Sequence, residues 1–231
     1  MLRRNVLKAM GAAALSLPLD WRLARAAPSA IAGRIRPGEP GWPSEKEWQN
    51  LRRSVSGNLI KVEPLFAPCA RDAGSTGCAE LHKNLRNPFF LGDQPGGTQV
   101  SGWYRAWTPA PSAYAVKART TADVAAAVNF ARTHNLRLVV KGAGHSYQGT
   151  SCAPDSLLVW TRAMNIIELH DAFVPQGSGA APVPAVTAGA GCVWIDLYHA
   201  VTTEAGRYVQ GGGCTDVGVA GLVQSGGFVS F

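Results

Sequence analysis

The pattern of apolar and polar residues predicts a strand–helix–strand unit in the middle of the chain. Tyr114–Lys117 is apolar enough for a short strand. Thr120 followed by Asp123 is the pattern of a capping box, which begins a helix. Residues 136–141 form a β-branched run that is typical of a buried strand. The helix carries its apolar face on Val124, Ala127, Val128 and Ala131. Such a unit places two parallel strands in one sheet.

Further elements are predicted on both sides of this unit. Short apolar runs indicate strands at 157–161, 166–170 and 185–188. Helical spacing predicts a helix over 193–205, which Gly206 would end. Another helix, over 44–54, would be capped by Ser44. Residues 64–102 have no regular pattern and are expected to be irregular. The residues therefore predict an α+β or α/β domain over 109–231, preceded by an extension and linker over 27–108.

The first 26 residues have the pattern of an export signal. Arg3 and Arg4 precede an apolar stretch over 9–19, which is shorter than the roughly 20 residues that a membrane-spanning helix needs. The arginine pair is typical of a twin-arginine signal, with a chance basic start as the alternative. This pattern predicts a periplasmic or secreted protein that the bacterial twin-arginine export machinery carries in folded form, with its cofactor already inserted.

Composition and charge narrow the classes of function. The chain has 231 residues, of which 46% are apolar and 16% charged, as in globular proteins. Without the first 26 residues the formal charge falls from +7 to +3. This excess is too small to indicate nucleic-acid binding. After residue 26 no stretch is long and apolar enough to predict a membrane span.

The spacing of the cysteines does not indicate a metal site. Cys69 and Cys78 lack the spacing of a zinc site, and in an oxidising compartment they could form a disulfide. The sequence alone leaves that pairing open. Cys152 and Cys192 are expected to be small buried residues rather than ligands.

A glycine-containing segment follows the predicted strand 136–141. Its candidate binding residues are Gly142, Ala143, Gly144, His145, Ser146, Tyr147 and Gly149. Successive backbone N–H groups in such a turn can form an anion-binding nest for a phosphate or pyrophosphate. Tyr147 stands where a Rossmann dinucleotide fingerprint would have its third glycine, so this is not that fingerprint. The alternative is an ordinary turn.

A second segment is even richer in glycine. Seven glycines lie between positions 211 and 227. Glycine is costly in chain entropy, so this density indicates a place where the backbone approaches another group closely. A flat aromatic ligand lying on the backbone would need such an approach. A flexible loop is the alternative, although the alternating apolar residues from Val217 to Val223 favour burial.

Three segments taken together resemble one known family. Residues 142–147, 187–191 and 213–221 occur in the order found in FAD-linked oxidases of the vanillyl-alcohol oxidase/p-cresol methylhydroxylase fold, in particular the berberine bridge enzyme-like branch. The resemblance implies an α+β, PCMH-type FAD-binding domain, a βαβ-containing two-subdomain fold, over 109–231. The chain would then be the N-terminal portion of such a protein, truncated at its C-terminus, with an irregular N-terminal extension.

The resemblance also implies roles for individual residues. The turn 142–149 would hold the FAD pyrophosphate, and His145 would bond covalently to the methyl group on the flavin ring. Cys214 would bond to the adjacent ring carbon. Other residues implied at the cofactor are Thr215, Val217, Gly218 and Gly221. A loop histidine and a buried structural cysteine are the alternatives, and Lys141 and Ala143 depart from the family's usual arginine and glycine.

The implied function is an exported FAD-dependent oxidoreductase, an oxidase with covalently bound flavin. It would accept hydride from a small-molecule substrate such as an alcohol or a sugar and pass electrons to dioxygen or another electron acceptor. The catalytic residues are expected to lie in sequence beyond position 231, so none is assigned. The alternatives are a truncated, non-catalytic FAD-binding fragment and a periplasmic ligand-binding protein.

Overall fold

A four-stranded sheet organises the first part of the described structure. The computed structural model describes residues 33–98, 104–108 and 110–227, so the predicted signal segment 1–26 lies outside the described residues. Strands β1 (Leu59–Lys61), β2 (Tyr114–Lys117), β3 (Arg137–Lys141) and β4 (Ser156–Trp160) lie in the order β1-β2-β4-β3. β1 pairs antiparallel with β2, whereas β2, β4 and β3 are mutually parallel.

Two capped helices contribute to the core on one side of this sheet. Helix α1 (Glu45–Ser54) begins with a capping box between Ser44 and Glu47. A second helix (Thr121–Thr133, named α5 in chain order) begins with the predicted box between Thr120 and Asp123. Their apolar residues join those of β1, β2 and β4 in the largest cluster of buried residues, which includes Trp48, Leu51, Val116, Ala127, Ala131, Leu157 and Val159. Both helices are therefore confirmed.

The segment 64–98 contains three short helices, so the prediction of an irregular segment over 64–102 is wrong for the residues of these helices. It contains α2 (Ala67–Arg71), α3 (Thr76–Asn84) and α4 (Pro88–Gly92). Each helix is too short to show a periodicity in sequence, and side-chain caps from Ser75 and Asn87 begin α3 and α4. A disulfide joins Cys69 of α2 to Cys78 of α3, which confirms that pairing.

The predicted extension also contributes to the sheet. Strand β1 lies within residues 27–108, and Lys61 is registered opposite Tyr114 of β2. Helix α1 lies in the same part of the chain and supplies Trp48, whose ring stacks on Tyr114 at a centroid distance of 4.0 Å. The domain boundaries at residues 26 and 108 stay predictions.

A second, two-stranded sheet follows. Strands β5 (Ile167–Phe173) and β6 (Val183–Ala188) pair antiparallel. The predicted helix 193–205 divides into α6 (Trp194–Tyr198) and a π-helical segment (His199–Glu204), and it ends before Gly206, whose φ is 62°. Helix α7 (Val219–Ser225) lies inside the glycine-rich segment, where the glycine content gave no indication of a helix. None of the helices in the described part of the chain is long and apolar enough to cross a membrane.

Candidate functional site

Three glycine-containing segments meet beyond the carboxyl end of β3. A Cβ atom added to Gly142 would lie 3.5 Å from the carbonyl oxygen of Ala190 and 3.7 Å from Thr161 Oγ1. A Cβ atom added to Gly218 would lie 3.4 Å from the amide nitrogen of Ala143. The structure therefore brings together the turn 142–149, the segment 187–191 and the segment 211–221, which are far apart in sequence.

Backbone hydrogen bonds fix the middle segment against the turn after β4. The amide of Gly189 donates to the carbonyl of Ile166, and that of Gly191 donates to Met164, both at 2.8 Å. A Cβ atom at Gly191 would overlap the carbonyl oxygen of Thr161. The glycines at 189 and 191 are therefore explained by this close approach of two backbones.

The third segment is anchored to the start of α6. Trp194 donates its amide to the carbonyl of Val217 at 3.1 Å, and Ile195 donates to that of Thr215 at 2.9 Å. The amide of Val219 donates to Cys192 at 2.9 Å. Thr215 and Val217 thus hold the loop through their backbone atoms. Gly221 lies in α7 with open space around its Cβ position.

The turn 142–149 needs backbone conformations that glycine adopts readily. Gly144 has φ of 87° and Gly149 has φ of 71°. The indole of Trp107 donates to the carbonyl of Tyr147 at 3.0 Å and lies where a Cβ atom of Gly149 would be. Ser146 Oγ accepts a hydrogen bond from the amide of Thr150 at 3.1 Å. The turn is therefore held in one conformation by contacts at both ends.

His145 and Asp216 form the closest side-chain contact between the first and third segments. The distance from Nε2 of the imidazole to Oδ2 of the carboxylate is 2.5 Å, and the two side chains are 19% and 14% exposed. A carboxylate at hydrogen-bond distance from a ring nitrogen holds the imidazole in one orientation. Asp216 therefore orients the ring of His145 through Nε2.

Cys214 lies on the same loop, two residues before Asp216. Its thiol is reduced and exposed, whereas Cys192 is buried and Cys152 partly buried. Because the contact to Asp216 ties His145 to this loop, the two candidate nucleophiles lie in one region of the protein.

Lys141 ends β3 immediately before the turn and is almost completely buried. Its ammonium group donates to the carbonyl oxygens of Gln94 at 2.8 Å and Gly97 at 2.9 Å, and it lies 5.3 Å from the ring centre of Trp160. Burial lowers the pKa of this lysine from 10.5 to about 8. Lys141 therefore ties the loop after α4 to the base of the turn.

Asp216 is the functional candidate that the sequence reasoning missed. It is the only carboxylate between positions 211 and 227. An acidic side chain within a glycine-rich, otherwise apolar segment is a sequence feature that could have singled it out. Its partner, 71 positions earlier, is visible only in the folded chain.

Comparisons with known proteins support the fold and the family that the three sequence segments resemble. Residues 111–230 match the model of the family described as FAD binding domain. The FAD-linked oxidoreductase easE of Claviceps fusiformis is 33% identical over 221 residues, which are 85% of this chain and 38% of that protein. The FAD-linked oxidoreductase malF of Malbranchea aurantiaca is 35% identical over 217 residues, 84% of this chain and 36% of that protein. The chain thus spans less than two fifths of the length of these relatives.

A solved structure supports the same assignment of fold. The VAO-type flavoprotein MtVAO615 of Myceliophthora thermophila C1 superposes with a TM-score of 0.68 and 25% sequence identity, over 81% of this chain and 36% of that one. This confirms the expected VAO-type, PCMH-like fold for the mixed α/β structure. The chain belongs to the FAD-binding-domain family, whose members among its relatives are FAD-linked oxidoreductases.

Proposed function

We propose that this chain is the FAD-binding part of an exported oxidoreductase with covalently bound flavin. The observation that carries the proposal is the convergence of three glycine-containing segments around the His145–Asp216 pair. Membership of the FAD-binding-domain family supports the identity of the cofactor. The substrate class, an alcohol, a sugar or a similar small molecule, follows from the resemblance noted in the sequence.

The residues present fit FAD. Gly142 and Gly144 leave the beginning of the turn without side chains, so its backbone can approach a pyrophosphate closely. Gly218 lets the facing loop approach this turn closely, because a Cβ atom there would lie 3.4 Å from the amide nitrogen of Ala143. Two nucleophilic side chains lie on these segments, His145 on the turn and Cys214 on the facing loop. We therefore assign the pyrophosphate to the turn 142–149 and the flavin ring to the side of His145 and Cys214.

FAD when bound supplies a two-electron acceptor for hydride from a substrate C–H bond, which dioxygen or another acceptor reoxidises, and an electron-poor ring to which nucleophilic side chains attach. The chain's own contribution is to bind and orient that cofactor. Asp216 holds the imidazole of His145 through Nε2 and thereby orients the ring for attachment. Cys214 would provide a thiol for a second attachment, in which the thiol and the ring carbon each lose a hydrogen and the two electrons pass to the acceptor that reoxidises the flavin.

Export to an oxidising compartment is part of the proposal. The Cys69–Cys78 disulfide supports it, because structural disulfides persist mainly in secreted and periplasmic proteins. The Arg3–Arg4 pattern supports the twin-arginine route. Covalent attachment would prevent loss of the flavin after export.

Acid precipitation tests the covalent links. The purified protein is precipitated with acid, and the flavin absorbance is measured in the pellet and the supernatant. We expect flavin in the pellet for the wild-type protein and for Cys152→Ser, which changes a free cysteine that is not a proposed attachment point. His145→Ala and Cys214→Ser should each remove one link, which peptide mass spectrometry identifies. Flavin that remains entirely in the supernatant refutes covalent attachment and leaves only FAD binding.

A further inference from the structure

A cavity of about 430 Å³ lies beside the proposed flavin site and has a strongly basic lining. Its walls come from the carboxyl ends of β2 and β4 and from the turn that follows β4. The lining residues are Asp93, Lys117, Arg119, Trp160, Arg162, Ala163 and Asn165. In sheets with parallel strands, ligands bind preferentially in crevices outside these carboxyl ends.

The cations in this cavity outnumber the anions by two. Arg162 is paired with Asp93 at 2.7 Å, so these two charges largely offset each other. Lys117 lies over the ring of Trp160, 5.3 Å from its centre. Within the described ranges, the side chains of Lys117 and Arg119 form no ion pair. Two cationic side chains without an acidic partner thus face the same space.

This arrangement fits a doubly charged oxyanion. Lysine supplies a compact charge, and arginine supplies a planar set of donors that matches the oxygens of a phosphate. The amide of Asn165 adds a neutral donor and acceptor at the wall, suited to a hydroxyl group on the rest of a ligand. The volume leaves room for a phosphate that carries a small organic group.

The cavity is separate from the residues assigned to the flavin. Its lining includes none of the described residues of the segments 142–149, 187–191 and 211–221. The two regions are connected through Arg162, whose Nη1 donates to the carbonyl oxygen of Gly191 at 2.7 Å. An anion bound beside Arg162 therefore lies one residue away from the proposed flavin site without occupying it.

We propose that this cavity is a binding site for a phosphate dianion, either free phosphate or a small phosphomonoester, held by Lys117 and Arg119. The proposal goes beyond the oxidoreductase function and does not depend on it. Both ligands carry the phosphate group. A phosphomonoester can also offer a hydroxyl group on its organic part to Asn165, whereas free phosphate cannot.

Calorimetric titration of the purified protein, with its cofactor retained, tests this site. Inorganic phosphate and glycerol 3-phosphate are the probes, and chloride at the same ionic strength is the control. We expect saturable one-to-one binding to the wild-type protein. Stronger binding of glycerol 3-phosphate identifies a phosphomonoester as the ligand, whereas equal or weaker binding identifies free phosphate.

A double variant, Lys117→Gln with Arg119→Gln, removes both unpaired cations. Each lost charge-assisted contact weakens binding by about tenfold, so the expected loss is about a hundredfold. The matched control, Lys46→Gln with Arg132→Gln, changes two exposed cations outside the cavity and has the same net charge. The affinity of this control variant for phosphate should stay within about twofold of that of the wild-type protein, because distant surface charges are screened.

Three outcomes would overturn the proposal. The first is no saturable phosphate binding to the wild-type protein, and the second is equal weakening by both double variants. The third is release of bound flavin in proportion to the phosphate added, because the cavity would then belong to the flavin site. A colourless protein that still binds phosphate through Lys117 and Arg119 refutes the proposed oxidoreductase function and leaves this inference intact.

Discussion

Replacing Asp216 tests whether this carboxylate prepares His145 for attachment to flavin. Asp216→Ala removes the partner of Nε2, and the small alanine side chain leaves that nitrogen without the acceptor 2.5 Å away. Asp216→Asn keeps an acceptor oxygen of similar size but removes the negative charge. The two variants therefore separate loss of the hydrogen bond from loss of its charge.

The expected magnitudes follow from the geometry of the pair. Both side chains are less than one fifth exposed, so solvent screens the contact only weakly. A hydrogen bond to a charged group contributes about 1.5–3 kcal/mol, which corresponds to an attachment rate about 10- to 100-fold lower in Asp216→Ala. A neutral hydrogen bond retains part of this contribution, so Asp216→Asn should slow attachment by about fivefold.

The assay follows attachment over time. Protein produced without flavin is mixed with FAD, samples are precipitated with acid at intervals, and flavin absorbance in the pellet gives the rate. Asp171→Asn is the control, because Asp171 is an exposed carboxylate on β5 that pairs with Arg207. Equal rates for the wild-type protein and Asp216→Ala would refute a role for the carboxylate. If flavin attaches to Asp216→Asn as slowly as to Asp216→Ala, the claim that a neutral hydrogen bond retains part of the contribution is refuted.

Three further predictions concern the scaffold around the site. Because burial lowers the pKa of Lys141 from 10.5 to about 8, the unfolded chain binds more protons between these pH values. Stability should therefore rise with pH in that window, and urea unfolding should show a gain of about 3 kcal/mol relative to Lys141→Met between pH 7 and 10.5. A constant difference across that range would contradict the burial argument. Cys69→Ser should lower the free energy of unfolding by about 2–3 kcal/mol, and a reductant should then destabilise the wild-type protein but not the variant. Gly191→Ala places a methyl group against the carbonyl of Thr161, so thermal unfolding should show a loss of about 1–3 kcal/mol, and an unchanged midpoint would contradict the close approach.

Local sequence rules were sufficient for the elements whose ends are fixed by their own side chains. The boxes at Ser44 and Thr120 begin two helices, and each places an acidic residue three positions after the cap. The parallel strands were predictable for a related reason. Strand β4 is buried along its whole length, so its nearly continuous apolar run Ser156–Trp160 identifies it.

The same rules failed where tertiary contacts determine the structure. Helices α2 to α4 have only five to nine residues each, too few for an apolar period to be distinguished from chance. Strand β1 has three residues and exists through its pairing with β2. Helix α7 contains Gly221, which disfavours a helix locally, but Val219 joins the buried cluster around Trp194. Packing thus overrides propensity there.

The candidate site was predictable in its segments but not in its contacts. Glycine spacing indicated where the backbone must approach another group, and the structure supplies such approaches at Gly191 and Gly218. The pairing of His145 with Asp216 depends on how two distant loops meet, which no local pattern encodes. Lys141 likewise finds its partners more than 40 positions earlier in the chain.

The visible absorption spectrum of the purified protein tests the central claim most directly. Protein produced with flavin in ample supply should show the two absorption bands of oxidised flavin, and the absorbance should correspond to one FAD per chain. Substitution of tryptophan for Gly221, whose Cβ position has open space around it, should abolish these bands while the far-ultraviolet circular dichroism stays that of a folded protein. A folded wild-type protein without flavin bands, and without any spectral change on titration with FAD, would contradict the account.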